Sequence, residues 1–421
     1  MATKRIWVSV ALAAVLAVGV AACSMVRPAV PTLMPTAQVP RTGMLQTSPT
    51  NGHNGVPATW TPTRPAEQVF VTAAPLVLAT QYQRTPTPTM PTWTPSCTPT
   101  SSATPTRSAT PTSTATPTPW PTIAPEEVWT LDRYPRPPAD NGWGMHWFPT
   151  YQQEINTINR YVIELQRMHI RWLVLLNDGT DIGRNDYLVQ RLANVGIMPV
   201  MRLYVHGVVS YDGNLAAAVH HYRSLGVHYF QLYNEPNLNA EAAGRVPNPD
   251  WYVTHWAEAA EIVVANGGLP GFGALSPGGE YEDLAYLRSA LQSLKRRKQG
   301  HLLNQGWISI HNYAQYQPVD STLGFMRFRL VDQIVLEELG RSLPILGTEG
   351  GHYGDLAEQY LHVRQQYQYL SQREPYLFCH SYWLLGNRAG GGWDSTFEYQ
   401  ALFRADGTVN PLVAGLFYRG P

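Results

Sequence analysis

Over residues 126–421 the chain alternates short apolar runs with longer amphipathic stretches, and this alternation limits the fold more than any other feature. Eight runs read as strands: 142–148, 171–176, 198–205, 229–233, 272–276, 307–313, 344–348 and 377–383. Between them, 152–168, 214–225, 250–265, 282–298, 326–339 and 356–372 carry helical spacing. In the first of these, Ile155, Ile158, Val162 and Leu165 recur at threes and fours and make one apolar stripe. Gly196, Gly226 and Gly267-Gly268 mark helix ends. Strict alternation implies parallel strands joined by helical crossovers. Eight such units at this length predict an α/β fold, a closed (β/α)8 TIM barrel. The rival, an open doubly wound sheet, usually places a Gly-rich phosphate loop after its first strand. Here the first strand runs into HWFPTYQQE instead.

A barrel carries functional residues where its strands end. Polar and aromatic residues do gather at those ends. They are His146 and Trp147, Asn177 and Asp178, then Arg202, Tyr204 and His206. Asn234 and Glu235, Ser276, His311 and Tyr313, Glu349 and Trp383 follow on the later strands. Chance would scatter such residues along apolar strands.

The first 125 residues read differently. Lys4 and Arg5 open the chain, 17 uncharged residues follow to Ala22, and Val20-Ala21-Ala22-Cys23 closes the segment. A basic start, an apolar stretch and small residues before a Cys describe a lipoprotein-type signal peptide over 1–23. Its Cys23 resembles the lipid-accepting Cys of a bacterial lipobox. An uncleaved anchor and ordinary secretion are the alternatives. Twenty of the 35 prolines then fall between Pro28 and Pro125, with repeated Thr-Pro units from Thr85 onward. Proline blocks helix and sheet, so 24–125 is expected to be a disordered, extended Pro/Thr-rich stalk. Its hydroxyls could accept O-linked sugars. Residues 126–421 are then expected to form the barrel domain, exported and held at the cell surface by lipidated Cys23, or secreted. Downstream of the signal no run of 18 uncharged apolar residues occurs, so no second span is expected.

Composition removes several classes. Lys plus Arg and Asp plus Glu both total 30, so the chain lacks the basic excess that non-specific nucleic-acid binding needs. Three cysteines cannot build a disulfide scaffold or a four-cysteine zinc site. No HExxH pair and no Gly-x-Ser-x-Gly elbow occurs, so neither a catalytic metal nor a serine nucleophile is expected. A monomer without cofactor is expected.

Two strands end on carboxylates. Glu235 follows QLYN and Glu349 follows PILGT. A buried carboxylate is costly unless paired or used. Either one alone could be a buried ion pair or a helix cap. Together, on the fourth and seventh strands of one barrel, they can meet across its mouth. Cleavage of a glycosidic bond needs such a pair, one to protonate the leaving oxygen and one to attack or to activate water. For double displacement they must lie within roughly 7 Å and be open to solvent.

Tyr233-Asn234-Glu235-Pro236-Asn237 resembles the Asn-Glu-Pro signature of glycoside hydrolase clan A, the retaining, cellulase-like (β/α)8 glycosidases. His311-Asn312-Tyr313 is similar to that clan's strand-six motif, and Trp383 to its strand-eight Trp. The resemblance covers about 140–421 and implies an O-glycosyl hydrolase acting on an extracellular β-linked polysaccharide or oligosaccharide. It implies Glu235 as acid/base and Glu349 as nucleophile, with Tyr313 bonded to the nucleophile and His311 lining the sugar site. Asn234 would bond the sugar 2-hydroxyl, and Trp383 would floor the subsite. The clan's strand-two Arg is displaced, since Arg171 begins that strand; Arg202 on the third is the expected substitute. Trp147, His146 and, more weakly, Trp393, His206, His352 and Asp178 are further candidates for the cleft. The alternative is a catalytically inactive carbohydrate-binding barrel; a metal-dependent barrel hydrolase is a third reading.

Overall fold

The computed structural model describes residues 127–151, 154–387 and 397–421. The expected signal peptide, Cys23, the stalk and Trp393 lie outside these residues. Eight parallel strands close into a barrel in sequence order, β8 pairing back onto β1. They are β1 Trp143–His146, β2 Trp172–Asp178, β3 Met198–Tyr204 and β4 Tyr229–Leu232, then β5 Leu269–Leu275, β6 Trp307–His311, β7 Ile345–Glu349 and β8 Leu377–Tyr382. Crossovers carry α1 Ile155–Arg167, α2 Asp186–Asn194, α3 Leu215–Ser224, α4 Pro249–Ala265, α5 Asp283–Arg296, α6 Arg327–Leu339 and α7 Leu356–Tyr369. A short α8, Pro411–Gly415, follows β8. The fold expected from the alternation is the fold observed. Among the described residues no helix is long and apolar enough to cross a membrane.

Two differences have local causes. Helix α2 is short, and only Leu188, Val189 and Leu192 bury, too few to stand out as a stripe. Strand β5 starts at Leu269, three residues before the expected run. Its Pro270 and Gly271 read as turn residues in sequence, but Gly271 makes room for the Trp307 ring. A Cβ there would sit 2.5 Å from that ring.

The apolar side chains divide by strand parity. Trp143, Met145 and Trp147 face outward and join the core between sheet and helices. Trp172, Val174, Val200, Tyr229, Leu269, Trp307 and Leu346 fill the barrel interior, with Trp129 and Tyr134 packed against them. Tyr134 donates from its hydroxyl to Gly306 O at 2.9 Å, and Trp129 N donates to Asn304 O at 2.9 Å. The segment before β1 thus lies against the N-terminal end of the barrel. The C-terminal ends of the strands carry polar groups instead.

Candidate active site

Parity also selects the residues that enter the mouth. Val200, Arg202 and Tyr204 share one face of β3, and Trp307, Ser309 and His311 share one face of β6. Glu349 reaches the same side through an irregularity. Ile310 pairs with Gly347 but His311 pairs with Glu349, so Thr348 is an extra residue and shifts the alternation. On β4 a backbone turn does the same. Tyr233 has φ +63° and packs outward among Tyr211 and Tyr252, while Glu235 follows at φ +38°. Positive φ in two non-glycine residues is strained backbone, of the kind that concentrates at functional sites. Three bonds fasten this loop to the next strand. Glu235 N donates to Ala274 O at 3.0 Å, and buried Asn237 donates to Ser276 O and accepts from Ser276 N.

The carboxyls of Glu235 and Glu349 meet over one centre. One ligand atom each from Glu235, His311 and Glu349 lie within 4.8 Å of one another. Arg202 Nη1 donates to Glu349 Oε1 at 2.6 Å, and the Tyr313 hydroxyl donates to Glu349 Oε2 at 2.9 Å. His311 Nδ1 lies 2.7 Å from Glu235 Oε1. Arg202 Nη2 sits 3.4 Å from His311 Nε2; with Nδ1 carrying a hydrogen, as it does in the charged ring and in one neutral tautomer, Nδ1 donates to Glu235. Glu235 Oε2 has no protein partner.

The surrounding charges favour the ionised form of Glu349. Burial works against ionising Glu349, but the positive charge of His311 when protonated and of Arg202 outweighs it. The result is a pKa lowered to about 2. The same Glu349 charge, after burial, pushes the Tyr313 hydroxyl well above its usual range, so it remains a donor. Burial, then Arg202, pushes His146 down to about 3, and its ring is neutral.

The remaining candidates are placed as follows. His146 enters the mouth, its Nδ1 bonded to Trp147 O at 2.8 Å and its ring 4.3 Å from that of Trp383. Trp383 is buried beside Phe397 and Tyr313, and its peptide bond to Leu384 is cis. Asn234 Nδ2 donates to Glu241 Oε1 at 3.0 Å. Trp147 requires a correction. Neighbours on a strand point to opposite faces, so with His146 inside, Trp147 packs outward on Phe148 and Tyr161 and offers no surface to the mouth. Exposed Asp178 pairs with Arg184 at 3.4 Å, and His206 is exposed after β3. His352 stacks on His362 at 4.3 Å. Arg171 precedes β2, so Arg202 is the cation at Glu349.

Sequence reasoning missed Glu241, a buried carboxyl on the loop after β4, and Tyr353, whose ring stacks on Tyr313 at 5.1 Å. Access also differs from expectation. The Glu235 and Glu349 side chains are only 2% and 3% exposed, and Tyr313, Trp383, Phe397 and Tyr353 belong to one hydrophobic cluster.

Among the described residues, Glu235 Oε2, Asn234 Oδ1, His146 Nε2, Trp383 Nε1 and Arg202 Nε are buried at this mouth without a hydrogen-bond partner. Buried polar groups are almost always paired, so such a cluster is suited to a polar ligand. Glu235, His311 and Glu349 could together hold a cation, but Arg202 already engages Glu349 and its fixed charge repels one there.

No family model matches the chain, and no curated protein matches its sequence. Among solved structures it is similar to a GH39 β-xylosidase from Caulobacter crescentus. The two share 16% identity over 69% of this chain and 72% of that chain, with a TM-score of 0.50. It is also similar to a GH128 (subgroup II) endo-β-1,3-glucanase from Pseudomonas viridiflava, at 16% identity over 67% of this chain and 98% of that one, with a TM-score of 0.47. At this identity the first likeness establishes a shared fold.

Proposed function

We propose that this chain is a retaining O-glycosyl hydrolase, exported and tethered through Cys23, that cleaves an extracellular β-linked glycan by double displacement. The observation that carries the reading is the asymmetry of two carboxyls within 4.8 Å of each other. Retaining enzymes hold their carboxyls about 5–5.5 Å apart, and inverting enzymes roughly 6.5–9.5 Å. Glu349, with both oxygens bonded and its charge held by Arg202, is built to stay ionised and attack the anomeric carbon. Glu235 keeps one oxygen on His311 and leaves Oε2 unpaired, so the acid proton resides on Oε2 and passes to the departing oxygen. The same oxygen then takes a proton from the water that releases the sugar. A binding protein without turnover has no use for an ionised Glu349 kept against its burial. The unpaired Asn234 Oδ1 and His146 Nε2 can bond sugar hydroxyls. Both carboxyls are buried, so double displacement requires the mouth to open before substrate reaches them.

Trapping with activated 2-deoxy-2-fluoro glycosides tests the assignment. A covalent adduct on the peptide containing Glu349 is expected by mass spectrometry, together with azide rescue of Glu235→Ala. Labelling elsewhere, or turnover surviving in Glu349→Ala, overturns it. Loss of palmitate incorporation in Cys23→Ser tests the tether.

A further inference from the structure

Beside the proposed pair of carboxyls lies a buried third, Glu241. Glu241 lies in a single 3-10 turn, Ala240–Ala242, and is 2% exposed. Its Oε1 accepts from Asn234 Nδ2 at 3.0 Å and its Oε2 from the Tyr204 hydroxyl at 3.3 Å. Burial, then the charge that Glu235 carries when ionised, pushes it up to about 8. Four other groups face it. Glu235 and Asn234 come from the end of β4, and Arg202 and Tyr204 come from β3. Tyr151, from the loop after β1, senses its charge as well. Arg202 is the one cation among these groups, and it is bonded to Glu349.

A buried carboxyl needs a reason, and anchoring the loop is not it. Asn237 fastens the loop to Ser276 and Tyr281, and Asn239 N donates to Glu280 at 2.9 Å. What Glu241 does hold is the amide beside the proposed acid. With Nδ2 engaged, Asn234 Oδ1 is the end left without a partner. An amide free to turn about its last side-chain bond would present oxygen and nitrogen alternately.

We propose that Glu241 is a positioning residue that, with Tyr204, locks the Asn234 amide so that its oxygen accepts from the hydroxyl next to the anomeric carbon. This rests on the glycosidase reading and names a group through which that site would tell a 2-hydroxyl sugar from its 2-deoxy counterpart. The contact tightens as the transition state forms, so its loss falls on kcat more than on KM.

The experiment uses the full chain and two aryl glycosides that differ only at the 2-hydroxyl, in the sugar series that wild type turns over. Glu241→Ala should lose about 10–100-fold in kcat/KM on the hydroxylated substrate, the scale of one mispositioned hydrogen bond. On the 2-deoxy substrate it should lose no more than about 3-fold, because the partner hydroxyl is gone. Glu241→Gln, whose amide oxygen can take the same Asn234 bond, should restore most of the activity. Tyr204→Phe should give a smaller loss with the same selectivity, and it answers the question should Glu241→Ala fail to fold. Equal losses on both substrates, or none, overturn the proposal while wild-type turnover keeps the glycosidase reading. A wild type inactive on every aryl glycoside sinks that reading, and the role of Glu241 with it.

Discussion

At the N-terminal end of the barrel, Asp140 is 9% exposed and its oxygens are fully engaged. It accepts from Arg136 at 2.8 Å, Arg373 at 3.0 Å, Trp172 Nε1 at 2.8 Å and Gly142 N at 2.9 Å. At the C-terminal end, Glu235 Oε2, Asn234 Oδ1, His146 Nε2 and Trp383 Nε1 have no protein partner. Trp129 Nε1 shows that the lower end is not perfectly paired either. The contrast still divides labour. A saturated charge holds structure together, whereas unsaturated groups around an ionised carboxyl await something polar.

The largest expected effects set one end against the other. Glu349→Gln should bring turnover below about 10⁻⁴ of wild type while the protein stays folded by circular dichroism. Asp140→Asn should do the reverse. It leaves two arginines short of their charge partner and should cost about 3 kcal/mol in urea unfolding, the low end for a broken buried pair because Arg136 is partly exposed. Its kcat/KM per folded molecule should stay within about 2-fold of wild type. Turnover that collapses equally in both folded variants would erase the distinction.

A smaller change probes the upper end alone. Tyr313→Phe removes the bond at 2.9 Å to Glu349 Oε2. A hydrogen bond to a charge contributes about 1.5–3 kcal/mol, so kcat/KM should fall about 10–100-fold. Losing a donor makes the carboxylate harder to keep ionised, so the acid limb of the pH–rate profile should move to higher pH. An unmoved limb would show that Arg202 holds the charge without help.

How much of this was legible in the sequence follows from the same geometry. Parallel strands bury both faces, so they read as continuous apolar runs, and the eight units could be counted from them. The ends of those runs named the residues that the structure gathers at one mouth: Glu235, Glu349, Arg202, His311, Tyr313, His146 and Trp383. Parity was not legible. His146 and Trp147 are adjacent, and nothing in GWGMHWF says which one points inward; the helix packing on Tyr161 decides it. The extra residue at Thr348 and the positive φ at Tyr233 were equally silent, though both aim the carboxyls. Glu241 was missed because a loop, not a strand, carries it inward. Its one signal is an acidic residue in the otherwise small and apolar run AEAAG.

The smallest effect separates two carboxyls of the same mouth by the sign of their pH dependence. Glu349 falls from the usual 4.5 to about 2, so its contribution to stability is present above 4.5 and is lost as pH drops toward 2. Glu241 rises from 4.5 to about 8, so between these values the folded chain keeps a proton that the unfolded chain has released. Its contribution is therefore full below 4.5 and declines as pH climbs toward 8. Urea unfolding of wild type and Glu241→Gln across this range should show the stability difference drifting against wild type as pH rises. Glu349→Gln should flatten the acid side instead. A difference independent of pH in the Glu241 pair would mean that its carboxyl titrates alike in both states. The hydrogen bonds from Asn234 and Tyr204 would then offset in full what burial and Glu235 do to that carboxyl.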